Sequence, residues 1–152
     1  VDYHIKKPTE GQFISCTNEF WWCLQNVAKG IWRDQLPYAK NMFYHTSHAM
    51  LEKMICWWIG MKHEYQVSVG AMYKYFKSYI PSDYWEMYEK TYADSDYNHM
   101  WDSIFVACEL FRTLGWEVAE NLHFTYPEQD DQNMTAYLKH VRYLPQDAKE
   151  IL

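Results

Sequence analysis

Apolar residues recur at steps of three and four through most of the chain and almost nowhere at steps of two, a pattern that predicts helices and excludes a sheet-built fold. The longest such run covers residues 9–33. At about 100° per residue, Phe13, Cys16, Phe20, Leu24, Val27 and Ile31 align as the core face of an amphipathic helix. Thr9 followed by Gln12 supplies a capping box, because the hydroxyl and the amide each satisfy an otherwise orphan backbone N–H. A second row on the same helix reads Glu19, Trp22, Asn26, Lys29 and Arg33, again at steps of three and four. A large indole among charges calls for a partner. Either a neighbouring helix covers Trp22 and the charges are ordinary surface, or the row is a contact ridge. In the second case Trp22 is a stacking platform, and Glu19 an anchor or base for a polar, cationic molecule.

The remaining elements follow from the same periodicity. Residues 1–8 alternate briefly (Tyr3, Ile5) before Lys6, Lys7 and Pro8 break the pattern, and they read as a linker continuing from another domain. Pro37, with Asp34 as a cap, opens a second helix to about Gly60 through Ala39, Phe43, Met50, Met54, Trp57 and Met61. Ser68 is read as the cap of a third helix with Val69, Met72, Tyr73, Phe76 and Ile80 facing inward, ending before Pro81. A short fourth helix runs from Ser82 through Tyr92. A fifth opens at Asp96 or Asn98 and runs to about Leu122 on Trp101, Ile104, Phe105, Cys108, Phe111, Val118 and Leu122. Beside that stripe lies an acidic row with Asp102, Glu109, Trp116 and Glu120, which would line an acidic cleft if it faced the first helix. Residues 125–132 read as an acidic loop. From about Gln132 a sixth helix uses Met134, Tyr137, Leu138 and Val141 until Pro145 stops it. The predicted fold is all-α, an up-and-down helical bundle of about five to six helices over residues 9–152.

Composition narrows the function. The length suits one domain with a real core. A net charge of −6 without a basic cluster argues against nucleic acid and toward a cationic small molecule. Aromatic residues make up 19% of the chain, a supply of rigid amphipathic surfaces of the kind that line pockets. Four cysteines in apolar surroundings without CxxC spacing point to reduced, structural thiols and a cytoplasmic protein. No signal-peptide pattern and no membrane-spanning apolar run is present. His45 and His48 lie three apart but lack further ligands in register, and Glu120-x-x-His123 occurs once where a di-iron site needs it twice. The metal expectation for this chain is therefore none. No Gly-rich phosphate loop, Gly-x-Ser-x-Gly elbow or HExxH occurs, and Asp94-Ser95-Asp96 reads as turn and cap chemistry.

Longer blocks carry a family resemblance. DYHIKKPTEGQF, NEFWW, VAKGIWRDQLPYAK, MLEKMICWWIG, VSVGAMYKYFKSYI and TAYLKHVRYLPQDAKEI resemble the C-terminal half of aminoglycoside 6-adenylyltransferases, the streptomycin-modifying enzymes, over essentially the whole chain. The resemblance implies an N-terminal nucleotidyltransferase domain, with a Gly-Ser motif and metal-binding aspartates, that moves AMP from ATP and Mg²⁺ to a streptomycin hydroxyl. It also implies that the helical domain helps form the antibiotic pocket. The Gly-Ser motif and the aspartates are not in this sequence, so the isolated chain is expected to be inactive. Expected partners are the aminoglycoside, ATP and the protein's own N-terminal domain. Carried onto residues, Glu19, Trp21 and Trp22 of NEFWW, with Lys29, Trp32 and Arg33 of AKGIWR, would face the inter-domain cleft. Glu19 would then be the base or a substrate anchor. Trp21, Trp22, Asn26, Trp32, Asp102 and Glu109 would contact the antibiotic, and Lys29 and Arg33 the nucleotide phosphates. The alternative is a non-catalytic helical module for binding or dimerisation.

Overall fold

The computed structural model describes residues 3–145 and 147–149, and among them the periodic segments become helices and no strand forms. Helix α1 spans Glu10–Trp32 and starts on the capping box: the Gln12 amide donates to Thr9 Oγ1 at 3.2 Å, and the Thr9 amide to Gln12 Oε1 at 3.0 Å. Every residue of its apolar stripe is buried.

Helices α2 (Leu36–Met42) and α3 (His48–Lys62) form one rod, joined by a π turn over Phe43–Ser47. Pro37 occupies the first turn of α2, where no N–H is required. Asp34 does not cap it. That residue adopts φ +55° in the tight turn after α1, and its carboxylate accepts the Tyr97 hydroxyl at 2.8 Å.

Helix α6 (Tyr97–Leu122) is capped by Asp96, whose Oδ1 accepts the His99 amide at 3.1 Å, and is closed by His123 in the left-handed region. Helix α7 spans Glu128–Arg142. The contacts fix the direction of each long helix. Ser47 donates to the Phe20 carbonyl at 2.9 Å and Phe13 packs near Trp57, so α1 and α3 are antiparallel. Tyr97 meets Asp34 at the beginning of one rod, and Trp58 donates to Glu117 at 3.0 Å further along, so α2–α3 and α6 run the same way. Residues 63–96, with α4 (Phe76–Tyr79) and α5 (Ser82–Glu89), carry the chain back between them. Arg112 pairs with Asp131 and Arg142 with Asp102, which makes α7 antiparallel to α6 and parallel to α1. A layer of rings fills the space between α1 and α6. Phe20 stacks on Phe111 at 3.8 Å, with Trp21 edge-on to both.

Two segments depart from expectation. Ser68 does not cap a helix; its Oγ accepts the Gly70 amide at 3.1 Å, a local turn that competes with helix initiation. Gly70 then takes φ +78°, Met72 and Tyr73 follow at +57° and +61°, and only the 3-10 turn Ala71–Tyr73 and the short α4 form. Met72, expected in the core, is 94% exposed. The last helix begins at Glu128, inside the expected loop, because Glu128, Asp130 and Asp131 in its first turn complement the helix dipole. Of its expected core residues, Leu138 and Val141 are buried, while Met134 and Tyr137 are half-buried at the edge.

Candidate functional site

Two rows face each other across α1 and α3. Gln12, Ser15 and Glu19 follow one another at three and four along α1, and Met50, Lys53 and Trp57 do the same along α3. Between them lies a groove of about 660 Å³ that residues Ile5, Lys6 and Thr9 also line. Its floor includes Cys16, whose Sγ donates to the Met50 carbonyl at 3.4 Å. Burial pushes the Cys16 and Cys56 thiols up to about 12, so both are neutral thiols rather than nucleophiles. Glu19, Lys6 and Lys53 are exposed, and none is ion-paired among the described residues. A free carboxylate and two free ammoniums in one groove suit a pair of ligands of opposite charge.

Trp22 belongs elsewhere. Three residues beyond Glu19 it lies about 60° further round the helix. There it lines a second groove, of about 370 Å³, between α1 and α7 with Trp21, Gln25, Asp130, Asn133, Met134 and Tyr137. Trp22 is 64% exposed, whereas Trp21 is 1% exposed and serves as core and groove floor. The ridge expected to present one ligand surface is therefore the divide between two grooves.

The other expected residues are dispersed. Asn26 is exposed on the ridge, and Lys29 and Trp32 are half-buried. The Trp32 indole N–H has no hydrogen-bond partner among the described residues. Lys29 and Arg33 lie about 15 and 21 Å along the axis from Glu19, so they do not share its groove. Asp102 is paired with Arg142 at 2.9 Å and borders a depression with Tyr92, Asp94 and His99. Glu109 is exposed, and with Asp102 and Glu120 it lies on the side of α6 roughly opposite Phe111, the residue that meets α1. The acidic row consequently does not face α1, and no acidic cleft forms there. His45 is exposed, while His48 is buried with Nε2 2.8 Å from Thr91 Oγ1, so the two do not converge. Among the described residues no group of three His, Cys, Asp or Glu is placed to hold a metal.

Sequence reasoning missed Lys6, Lys53, Asp130, Asn133 and Tyr137 as groove residues. The three-and-four spacing around Lys53 was visible, but which helix it would face was not.

The site is thus a pair of open grooves on the two sides of α1 in a helical bundle. The chain belongs to the streptomycin adenylyltransferase family, whose model matches residues 1–141. It is 38% identical over 132 residues to an aminoglycoside 6-adenylyltransferase of Campylobacter jejuni, covering 87% of this chain and 46% of that protein. The Bacillus subtilis (strain 168) and Staphylococcus aureus proteins of the same name are 34% and 30% identical, each over 85% of this chain and 45% and 46% of their own lengths. The crystal structure of an aminoglycoside 6-adenyltransferase from Bacillus subtilis superposes with a TM-score of 0.84 at 33% identity, over 93% of this chain and 54% of that one. The chain spans just under half the length of these curated relatives and matches their C-terminal part. No helix among the described residues is long and apolar enough to cross a membrane.

Proposed function

We propose that this chain is the helical, antibiotic-binding part of a cytoplasmic enzyme that transfers AMP from ATP to a hydroxyl of streptomycin and so confers resistance. The observation that carries the reading is the α1/α3 groove, where Glu19 stands with Lys6 and Lys53, none of them ion-paired among the described residues. A nucleotide brings negative charge and an aminoglycoside positive charge, and both signs are met in one groove. Glu19 takes the antibiotic: as a carboxylate it accepts either an ammonium or guanidinium, or the proton of the attacking hydroxyl. An N-terminal nucleotidyltransferase domain would close over this groove beside residues 5–9. Mg²⁺ supplies Lewis-acid chemistry at the phosphates in such reactions. With no suitable ligand cluster among the described residues, it would be held by that other domain.

The test is AMP transfer to streptomycin by the longer protein with Glu19→Gln. A general base predicts a fall of about 10²–10⁴-fold in turnover at little cost in affinity. An anchor predicts weaker antibiotic binding by about 1.5–3 kcal/mol. Unchanged turnover together with unchanged affinity defeats the assignment. The 152-residue chain alone is expected to transfer no AMP, and turnover by it would place the chemistry here instead.

A further inference from the structure

The groove between α1 and α7 is separate from the one that holds Glu19, and the reaction proposed above leaves it unused. Its volume of about 370 Å³ is near the small end of ligand pockets, enough for one or two rings rather than a whole trisaccharide. The Trp22 indole is 64% exposed on one wall and offers a flat face to the apolar side of a ring. Asp130 is the free carboxylate of the opposite wall. Its neighbour Asp131 is taken by Arg112, but Asp130 is in no ion pair among the described residues. The Gln25 side-chain amide makes no hydrogen bond among the described residues. Asn133 Oδ1 accepts the Gln129 amide at 2.8 Å, which leaves its own NH₂ to donate. Tyr137 closes one end, with a buried hydroxyl that has no hydrogen-bond partner among the described residues.

An aromatic face, a carboxylate in no ion pair among the described residues and neutral amide and hydroxyl groups match a hydroxylated ring bearing a positive charge. We infer that this groove binds a protonated amino- or guanidino-sugar ring, stacked on Trp22 with its cation on Asp130, as a second antibiotic site distinct from the groove of Glu19. The choice of ligand class rests on the proposed aminoglycoside chemistry; the location does not.

Streptomycin is the probe, titrated into the ¹⁵N-labelled chain. The Trp22 indole and the Gln25 and Asn133 side-chain amides report this groove, and the Trp57 indole and Gln12 amide report the other. The inference requires saturable shifts of the Trp22, Gln25 and Asn133 signals. The dissociation constant read from them should weaken at least tenfold in Asp130→Asn and in Trp22→Ala, and maltose, a neutral pair of hydroxylated rings, should fail to reproduce the shifts. Shifts confined to Trp57 and Gln12, a dissociation constant unmoved by Asp130→Asn, equal shifts with maltose, or no shifts at all would each overturn it. Failure of the proposed function shows separately, as silence of Trp57 and Gln12 while the Trp22 set still responds. Trp22 and Asn133 are exposed and Asp130 half-buried at the groove edge, and an unchanged circular dichroism melt verifies that each variant folds.

Discussion

Asp131 holds Arg112 in a two-pronged grip: Arg112 Nε and Nη2 donate to its two carboxylate oxygens at 2.7 and 2.8 Å. The carboxylate is nearly buried and also accepts the Tyr126 hydroxyl at 2.7 Å and the Thr135 hydroxyl at 3.1 Å. The guanidinium lies 5.9 Å from the centre of the Trp21 ring. One residue of α7 thereby ties α6, the 123–127 loop and the face of α1 together. Removing the carboxylate leaves a part-buried guanidinium and a buried phenol without their acceptor. Asp131→Ala is expected to lower unfolding free energy by about 3–5 kcal/mol, the scale for breaking a buried pair from one side. Urea unfolding measures it, and a loss below about 1 kcal/mol would mean that the network does not hold these elements.

The same network makes a small residue obligatory nearby. A Cβ on Gly115 would stand 2.9 Å from Tyr126 Cε1 and 3.3 Å from Cδ1. The Tyr126 ring cannot swing aside without releasing Asp131. Gly115→Ala adds helix propensity, worth about 1 kcal/mol in an exposed helix, but here overpacking of about 1–3 kcal/mol opposes it. The expected outcome is a net loss of thermal stability. A gain would show that the ring relocates freely.

What the sequence made legible is what is decided locally. The α1 stripe, the Thr9–Gln12 box and the Asp96 cap depend on neighbours three and four residues away, and all formed. Residues 68–80 kept an apolar periodicity, but Ser68 bonded to Gly70 and the backbone turned left-handed, a choice the side-chain pattern does not encode. For the site, Glu19 and Trp22 were legible as unusual residues on one ridge. Their separation into two grooves follows from α3 packing on one side of α1 and α7 on the other. That is a long-range fact, invisible to spacing within one helix. Lys53 joined Glu19 for the same reason, in place of Lys29 and Arg33.

In the exposed first turn of α6, His99 Nδ1 lies 2.9 Å from Oδ1 of Asp94, in the turn that precedes the helix. The hydrogen bond to Asp94 raises the His99 pKa above its ordinary value of 6.5. Reciprocally, the bond to His99, followed by that from the Asp96 amide, lowers the Asp94 pKa. The signs define a window. The histidine contribution is fully present below its unfolded pKa and fades as pH rises through the raised folded value. The aspartate contribution is present above its ordinary pKa and fades as pH falls through the lowered one. Both groups are at the surface, so the effect is on titration rather than on the fold. In an NMR titration the His99 midpoint should stand above 6.5 and move down in Asp94→Asn. An unmoved midpoint would show that the contact is not populated in solution.

Glu19 and Lys53 carry opposite charges in one groove, so under the proposed function removing each should affect a different substrate of an enzyme containing this chain. Lys53 is exposed on α3 and free of any ion pair among the described residues, and Lys53→Met keeps its aliphatic reach while deleting the ammonium. If the ammonium meets a nucleotide phosphate, a charged hydrogen bond of about 1.5–3 kcal/mol is lost. That corresponds to a fall of about tenfold to a hundredfold in kcat/KM for ATP. The value for streptomycin should hold or improve slightly, because a like charge has been taken away from a cationic ligand. Glu19→Gln should show the reverse preference, against the antibiotic. Steady-state kinetics with each substrate varied at saturation of the other separates the two. A Lys53→Met enzyme impaired mainly toward streptomycin would mean that the polarity of the groove has been assigned backwards. One impaired equally toward both, with a lowered Tm, would mean that Lys53 supports α3 rather than a substrate.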